Sequence, residues 1–193
     1  MKAIAYVGLS LLLLLFGSCS QQEKSSDKIY DFENLIDHQV SQLSQQARVL
    51  GKTSQVSGTK SDTTFLPSGA GWRSELEVFR ELEIINKPIY RNEYSIQDPV
   101  KDTQSNLKVR QYLSANAPIT NLRFYYHNDF SGLKKIEATI TEKSLLFFNS
   151  RNLTMEFEEE EGKPVLKNYS LEGFQKLILR DTVHFSLQGQ IDQ

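Results

Sequence analysis

Past Lys87-Pro88 the chain breaks into short β-rich segments: "IYRNEYSI" (Ile89 to Ile96), "NLKVRQYLS" (Asn106 to Ser114), "NLRFYYHN" (Asn121 to Asn128), "LKKIEATIT" (Leu133 to Thr141), "SLLFFNS" (Ser144 to Ser150), "LTMEFEE" (Leu153 to Glu159), "VLKNYSLEG" (Val165 to Gly173), "QKLILR" (Gln175 to Arg180) and "VHFSLQGQI" (Val183 to Ile191). Many are separated by turn residues, as at Asp98-Pro99, Asn116-Ala117-Pro118, Asn128-Asp129, Gly162-Lys163-Pro164 and Asp181-Thr182. Val, Ile, Tyr and Phe in alternating runs suit a pleated surface, while Pro, Gly, Asn and Asp end it. Consecutive short strands at this spacing predict a mostly antiparallel meander.

Upstream of Lys87 the apolar period lengthens. "YDFENLIDHQVSQLSQQARVL" (Tyr30 to Leu50) sets Ile36, Val40, Leu43, Ala47 and Leu50 at spacings of four and three, one stripe along a helix. Asp37, Ser41, Gln45 and Arg48 fall on the opposite face. Asp31 is positioned as an N-cap and Gly51 as a C-terminal cap. "KTSQVSGTKSDTTFL" (Lys52 to Leu66) reads as a hairpin, and "PSGAG" (Pro67 to Gly71) as a breaker. "WRSELEVFRELEI" (Trp72 to Ile84) gives a second helix, with Trp72, Leu76, Phe79 and Leu82 on one face. The expected architecture is α+β: two N-terminal amphipathic helices packed on a mostly antiparallel, curved β-meander.

Composition limits what such a domain does. The chain has 193 residues, enough for one domain with a hydrophobic core, and 22 basic against 24 acidic residues. That balance gives no positive footprint for a phosphate backbone, so nucleic-acid binding is not expected. Removal of a leader containing Lys2 would leave the chain slightly more acidic.

The first residues form such a leader. After Lys2 comes "AIAYVGLSLLLLLF" (Ala3 to Phe16), then Gly17, Ser18 and the single cysteine, Cys19. A run of this length is short for a bilayer-spanning helix, which needs roughly 20 apolar residues, and has the layout of a secretory signal. Phe16-Gly17-Ser18-Cys19 resembles the bacterial lipobox, with Phe16 where that motif usually carries Leu. The resemblance implies that Cys19 becomes the first mature residue and carries a diacylglycerol and a further acyl chain such as palmitate. Two or three chains, at ~0.8 kcal/mol per buried CH₂, hold a protein durably. The expected domains are a signal peptide at 1–18, a lipidated cysteine and polar tether at 19–28, and a single α+β domain at 29–193. Ser20 follows the cysteine where Asp would signal inner-membrane retention in Gram-negative sorting, so an outer-membrane address on the periplasmic face is expected.

Local patterns for chemistry are sparse. His38, His127 and His184 are scattered, no Gly-x-Ser-x-Gly elbow or Gly-rich phosphate loop occurs, and no His or Cys pair has metal-ligand spacing. Neither a metal nor a cofactor is expected. "EFEEEEG" (Glu156 to Gly162) lacks the alternating Asp/Asn ligands of a calcium loop and reads as a charged strand end and turn. The aromatic strands "RFYYH" (Arg123 to His127) and "LLFF" (Leu145 to Phe148) are the most unusual feature. Alternation puts Tyr125 on the face opposite Phe124 and Tyr126. From this, Phe124, Tyr126, Phe147 and Phe148 are the candidate lining of an apolar pocket, with Ile36, Val40 and Leu43 covering part of the sheet.

"WRSELEVFRELEIINKPIY" (Trp72 to Tyr90), the terminal "NYSLEGFQKLILRDTVHFSLQGQI" (Asn168 to Ile191) and the lipobox together resemble a family of uncharacterised lipoproteins from Bacteroidota, through Trp72, Glu75, Leu76, Asn86, Lys87, Pro88 and Gln175 to Ile178. The resemblance implies a lipid-anchored α+β domain and brings no catalytic residue. Asp62-Thr63-Thr64 and Asp181-Thr182-Val183 resemble the short O-glycosylation motif of that phylum. The expected function is that of a non-enzymatic envelope lipoprotein, attached to the membrane by its N-terminal lipid, that binds an apolar or lipid-like ligand or serves as adaptor for another envelope protein. The alternative is a periplasm-facing hydrolase whose carboxylates meet only in the fold.

Overall fold

The computed structural model describes residues 28–192. The leader, Cys19 and nearly all of the tether lie outside the described residues. Nine strands form one open antiparallel sheet in the order β2-β1-β9-β8-β7-β6-β5-β4-β3. They are β1 (Val49–Val56), β2 (Thr59–Phe65), β3 (Ser95–Lys101), β4 (Lys108–Leu113), β5 (Ile119–Tyr126), β6 (Leu133–Lys143), β7 (Phe147–Glu160), β8 (Lys163–Leu177) and β9 (Val183–Asp192). From β3 to β9 each strand pairs with the next, while the β1–β2 hairpin docks on the last strand, with Leu50 opposite Ile191. The class is α+β.

Helix α1 (Phe32–Gln45) starts at Asp31, whose side chain accepts from the Asn34 N–H, and buries Phe32, Leu35, Ile36, Gln39, Val40 and Leu43. It ends earlier than its stripe implies. Ala47 turns into the left-handed region at φ 51°, and Val49 and Leu50 open β1, so Ala47 and Leu50 leave the helix and Gly51 is a strand residue rather than a cap. Leu50 fits either period because it is buried from the strand as it would have been from the helix.

Helix α2 (Gly69–Arg80) begins inside the stretch that reads as a breaker, because the Ser68 side chain accepts from the Gly71 N–H and caps it. The expected helix end at Ile84 is instead a 3₁₀ segment, Glu81–Asn86. Ile89 to Tyr90, expected in a strand, belong to a short helix α3 (Pro88–Arg91). Pro88 sits in its first turn, where a missing N–H costs nothing.

Two further corrections concern strand number. The "FFNS" of "SLLFFNS" runs together with "LTMEFEE" as β7, while Ser144 to Leu146 leave the expected strand for the turn before it, and "VLKNYSLEG" joins "QKL" as β8, since Asn152 and Gly173-Phe174 are tolerated within long strands. The remaining "ILR" turns toward β9, with Leu179 at φ 63°.

One face of the sheet and the two longer helices enclose a core of buried side chains. Trp72, Phe79, Phe32, Phe124, Leu122 and Ile136 are among them. Facing pairs carry the inner row across the sheet, from Phe124 through Ile136, Met155 and Tyr169 to Gly189. Gly189 is needed in that row: a Cβ there would lie 2.2 Å from the Tyr169 ring. Gly189→Ala is therefore expected to cost ~1–3 kcal/mol by overpacking, and much less in a Tyr169→Ala background, because neighbours that clash are not additive. Urea denaturation of the four proteins of this cycle checks it. Equal costs in both backgrounds would remove the clash as the cause.

The other face is polar along a row crossing all nine strands: Gln97, Gln111, Arg123, Glu137, Thr154, Ser170, Gln188, Thr53 and Asp62 stand successively opposite one another. Both edges are unfit for further pairing. β2 carries Lys60 and Asp62, and β3 carries Pro99 at a register shift.

Candidate functional site

The four aromatics expected to line one pocket fall in two places. Phe124 is fully buried among Tyr30, Phe32, Tyr112 and Phe130, with ring centroids 4.9, 6.0, 6.1 and 5.2 Å away. Tyr126 lies beside it, its ring stacked on Phe130 at 5.1 Å and its hydroxyl donating to Asp98 at 2.6 Å. Phe147 and Phe148 begin β7, seven or more residues along that strand from the inner-row Met155, so about 23 Å away at strand spacing. Phe148 meets Phe174 at 5.5 Å, and Phe174 in turn meets His184 at 5.8 Å, on the polar face. Thus Phe124 and Tyr126 are filled core, and the structure does not bring them to Phe147 and Phe148. Tyr125 points the other way, its hydroxyl donating to Glu137 at 2.5 Å and its ring under the Lys135 ammonium.

Asp98 is the anion of the Phe124 end. Burial pushes its carboxyl up, but the Tyr126 hydroxyl and the Arg110 guanidinium together outweigh that and hold it below the usual range. Arg110 also lies over the Phe130 ring, 4.4 Å from its centroid. This cluster locks the aromatic core rather than opening it.

The apolar concavity lies elsewhere, where the described chain begins. A cavity of about 600 Å³ opens between the 3₁₀ segment and the ends of β5 and β6. Ile84, Pro88, Pro118 and Ile140 give it apolar walls, and Lys28, Arg80, Glu83, Lys87 and Glu142 stand around it. Asn86 fixes its inner wall by accepting from the Ile29 N–H at 2.8 Å and donating to the Tyr30 carbonyl and to Glu83, both at 2.8 Å. Glu83 accepts from the Phe32 N–H at 3.1 Å and faces the Lys28 ammonium at 3.1 Å. Donating to Glu83 raises the Lys28 pKa. Asn86 is the residue that residue-by-residue reading missed: it stands in the resemblance, but no spacing shows that it pins residues 29 and 30.

The carboxylates here are tied up. Arg151 pairs with Glu81 at 2.9 Å and with Glu142 at 3.1 Å, and Arg80 pairs with Asp37. Such pairing holds the wall in shape, with Glu81 and Glu142 both neutralised by the one Arg151 guanidinium. Its chemistry is that of an apolar slot with a charged mouth, suited to a short acyl or other apolar group.

A second concavity, about 500 Å³, lies on the polar face over Gly51, where no side chain rises from β1. Hydroxyls, amides and carboxylates line it, including Thr53, Asp62, Thr154, Glu156, Asn168 and Gln188. The Thr53 hydroxyl donates to Asp62 at 2.6 Å and, with Lys60, lowers the Asp62 pKa. Asp62, Thr63, Thr64, Asp181 and Thr182 are all exposed. Among the described residues no helix is long and apolar enough to cross a membrane, and no group of three His, Cys, Asp or Glu is arranged to hold a metal ion. No protein-family model, curated protein or solved structure matches the chain.

Proposed function

We propose that this is a lipoprotein of the outer membrane, held on its periplasmic face through Cys19, that binds an apolar or lipid-like ligand without catalysing a reaction. The observation that carries the reading is the cavity with apolar walls at Ile84, Pro88, Pro118 and Ile140, beside the point where the described chain starts. A ligand burying ~100–200 Å² there gains a few kcal/mol at about 25 cal/mol per Å², before its ordering costs. In this reading α1 and α2 are the amphipathic cover of the curved sheet, and the mouth beside them takes the ligand. The polar concavity over Gly51 favours a second role, docking of a polar segment of another envelope protein, because its hydroxyls and amides offer bonds along five strands.

Feeding producing cells a fatty acid that carries both an alkyne and a diazirine tests the anchor and the ligand together. The alkyne label is expected on the peptide that begins at Cys19, and Cys19→Ala is expected to abolish it. Label that persists in Cys19→Ala rules out the anchor. Illumination is expected to add lipid to peptides containing Ile84 to Pro88 and Ile140. A labelled Cys19 with no photoproduct on those peptides rules out the ligand site and leaves the anchor standing.

A further inference from the structure

The turns β6–β7 and β8–β9 carry six large apolar side chains into solvent: Leu145, Leu146, Leu177, Ile178, Leu179 and Val183. Leu145 is 92% exposed and Leu179 99%. A soluble surface seldom gathers leucines this way without a partner. The two turns form one surface, because the Ile178 N–H donates to the Leu146 carbonyl at 3.0 Å. Each is held in shape. The Ser144 hydroxyl accepts from the N–H groups of Leu146 and Phe147, and the Arg180 N–H closes on the Leu177 carbonyl. Leu179 sits in the left-handed region at φ 63°, an unfavourable conformation for a leucine and one that turns its side chain outward.

Charge around the patch points to its partner. Lys143, Lys176 and Arg180 flank the leucines, all exposed, and among the described residues none of the three is in an ion pair. Asp181 is the adjacent acid, while Glu142 is taken by Arg151. Leucines at a tip with cations behind them match the bilayer boundary, apolar groups reaching the acyl region and ammonium or guanidinium groups meeting phosphates. Position agrees as well. Lys28 and Glu142 line one cavity, and Glu142 is three residues before Leu145. From Lys28 back to Cys19 is nine residues, a reach of at most about 30 Å.

We infer that the paired β6–β7 and β8–β9 turns rest in the surface of the anionic bilayer that holds the lipid anchor, giving the domain a second contact and a fixed orientation. This rests on the anchor of the proposed function but not on its ligand cavity. The full lipidated chain, reconstituted in phosphatidylethanolamine–phosphatidylglycerol vesicles with acyl chains brominated, provides the test. A tryptophan placed by Leu179→Trp is expected to shift its emission to the blue and lose most of it to bromine. One placed by Lys163→Trp, at the other end of β8, should keep its emission, with the buried Trp72 as common background.

Flotation of the protein with the vesicles reports the anchor separately. Flotation with no difference between the two tryptophans overturns the membrane contact and leaves the anchor intact, whereas failure to float overturns both. A blue shift of Leu179→Trp that appears in detergent and depends on protein concentration would assign the patch to a second copy of the chain, and the inference fails. The variant Leu145→Ser/Leu146→Ser/Leu179→Ser changes only exposed positions. It is expected to float as the wild type does and to become susceptible to protease at the two turns; unchanged protection also overturns the inference.

Discussion

Phe124→Ala is expected to lower the unfolding free energy by ~3–5 kcal/mol, the range for removing a buried aromatic ring. Phe124 touches Tyr30 from the start of the domain, Phe32 from α1, Tyr112 from β4 and Phe130 from the 3₁₀ turn before β6. A void at that point has walls from four parts of the chain, and they cannot collapse together to fill it. Phe148→Ala is the contrast: its ring is partly exposed and meets Phe174, so its loss should cost no more than ~1 kcal/mol. Urea denaturation of the two variants checks the order. If Phe124→Ala unfolds with the wild type and both bind an apolar dye equally, the ring lines a cavity and the solid core described above is wrong.

Gln39→Leu should cost about 3 kcal/mol although it keeps the volume and adds apolar surface. Gln39 is the fully buried polar side chain among the described residues. Its Oε1 accepts from the Leu166 N–H at 2.7 Å, and its Nε2 donates to the Pro164 carbonyl at 2.9 Å. Leu166 lies where the β7–β8 register shifts, between Glu156 and Phe157, so its N–H goes to the helix. Leucine leaves the Leu166 N–H buried without a partner and takes the side-chain donor from the half-buried Pro164 carbonyl, at ~1–3 kcal/mol each, offset in part by burial of the new side chain. Thermal unfolding of Gln39→Leu beside Leu43→Met, a volume-conserving change one turn away, separates the bond from the packing. A Gln39→Leu protein as stable as wild type would mean that the two groups find other partners.

How far the sequence discloses this molecule follows from the range over which each signal acts. The helical stripe at Ile36, Val40 and Leu43 is local, and so are the Asp31 cap and the Lys52 to Leu66 hairpin; all are legible in the residues themselves. The helix end at Gln45 is not, because Leu50 satisfies a helical and a strand period equally, and the left-handed turn at Ala47 has no glycine to mark it. Merged strands are hidden for the opposite reason. Asn152 falls between the two expected segments but stands opposite Thr139, whose hydroxyl donates to it across the strands at 2.9 Å.

The site is less legible than the fold. The aromatic runs show that rings must pack, but not that Tyr30 and Phe130 arrive to fill the space around Phe124. Nor does any spacing show that Asn86 reaches back to Ile29 and Tyr30 to build the cavity wall. The exposed leucines of "LLFF" and "LILR" read as strand core for the same reason: a residue type tells that burial is favourable, while the turn that denies it is set by pairing along the sheet.

The docking of the β1–β2 hairpin on β9 governs how the chain acquires its structure. Leu50 waits for Ile191 and Val56 for Phe185, so β1, paired early with β2, gains its second neighbour only when β9 has been made. Closing so long a loop is entropically slow, and contacts of this separation set the folding rate. Strands β3 to β8 can zip neighbour by neighbour beforehand, but the hairpin remains undocked. A polypeptide built in this order keeps the sheet open on one side of its first hairpin until β9 is available, and the arrival of that one strand joins hairpin and meander into a single sheet.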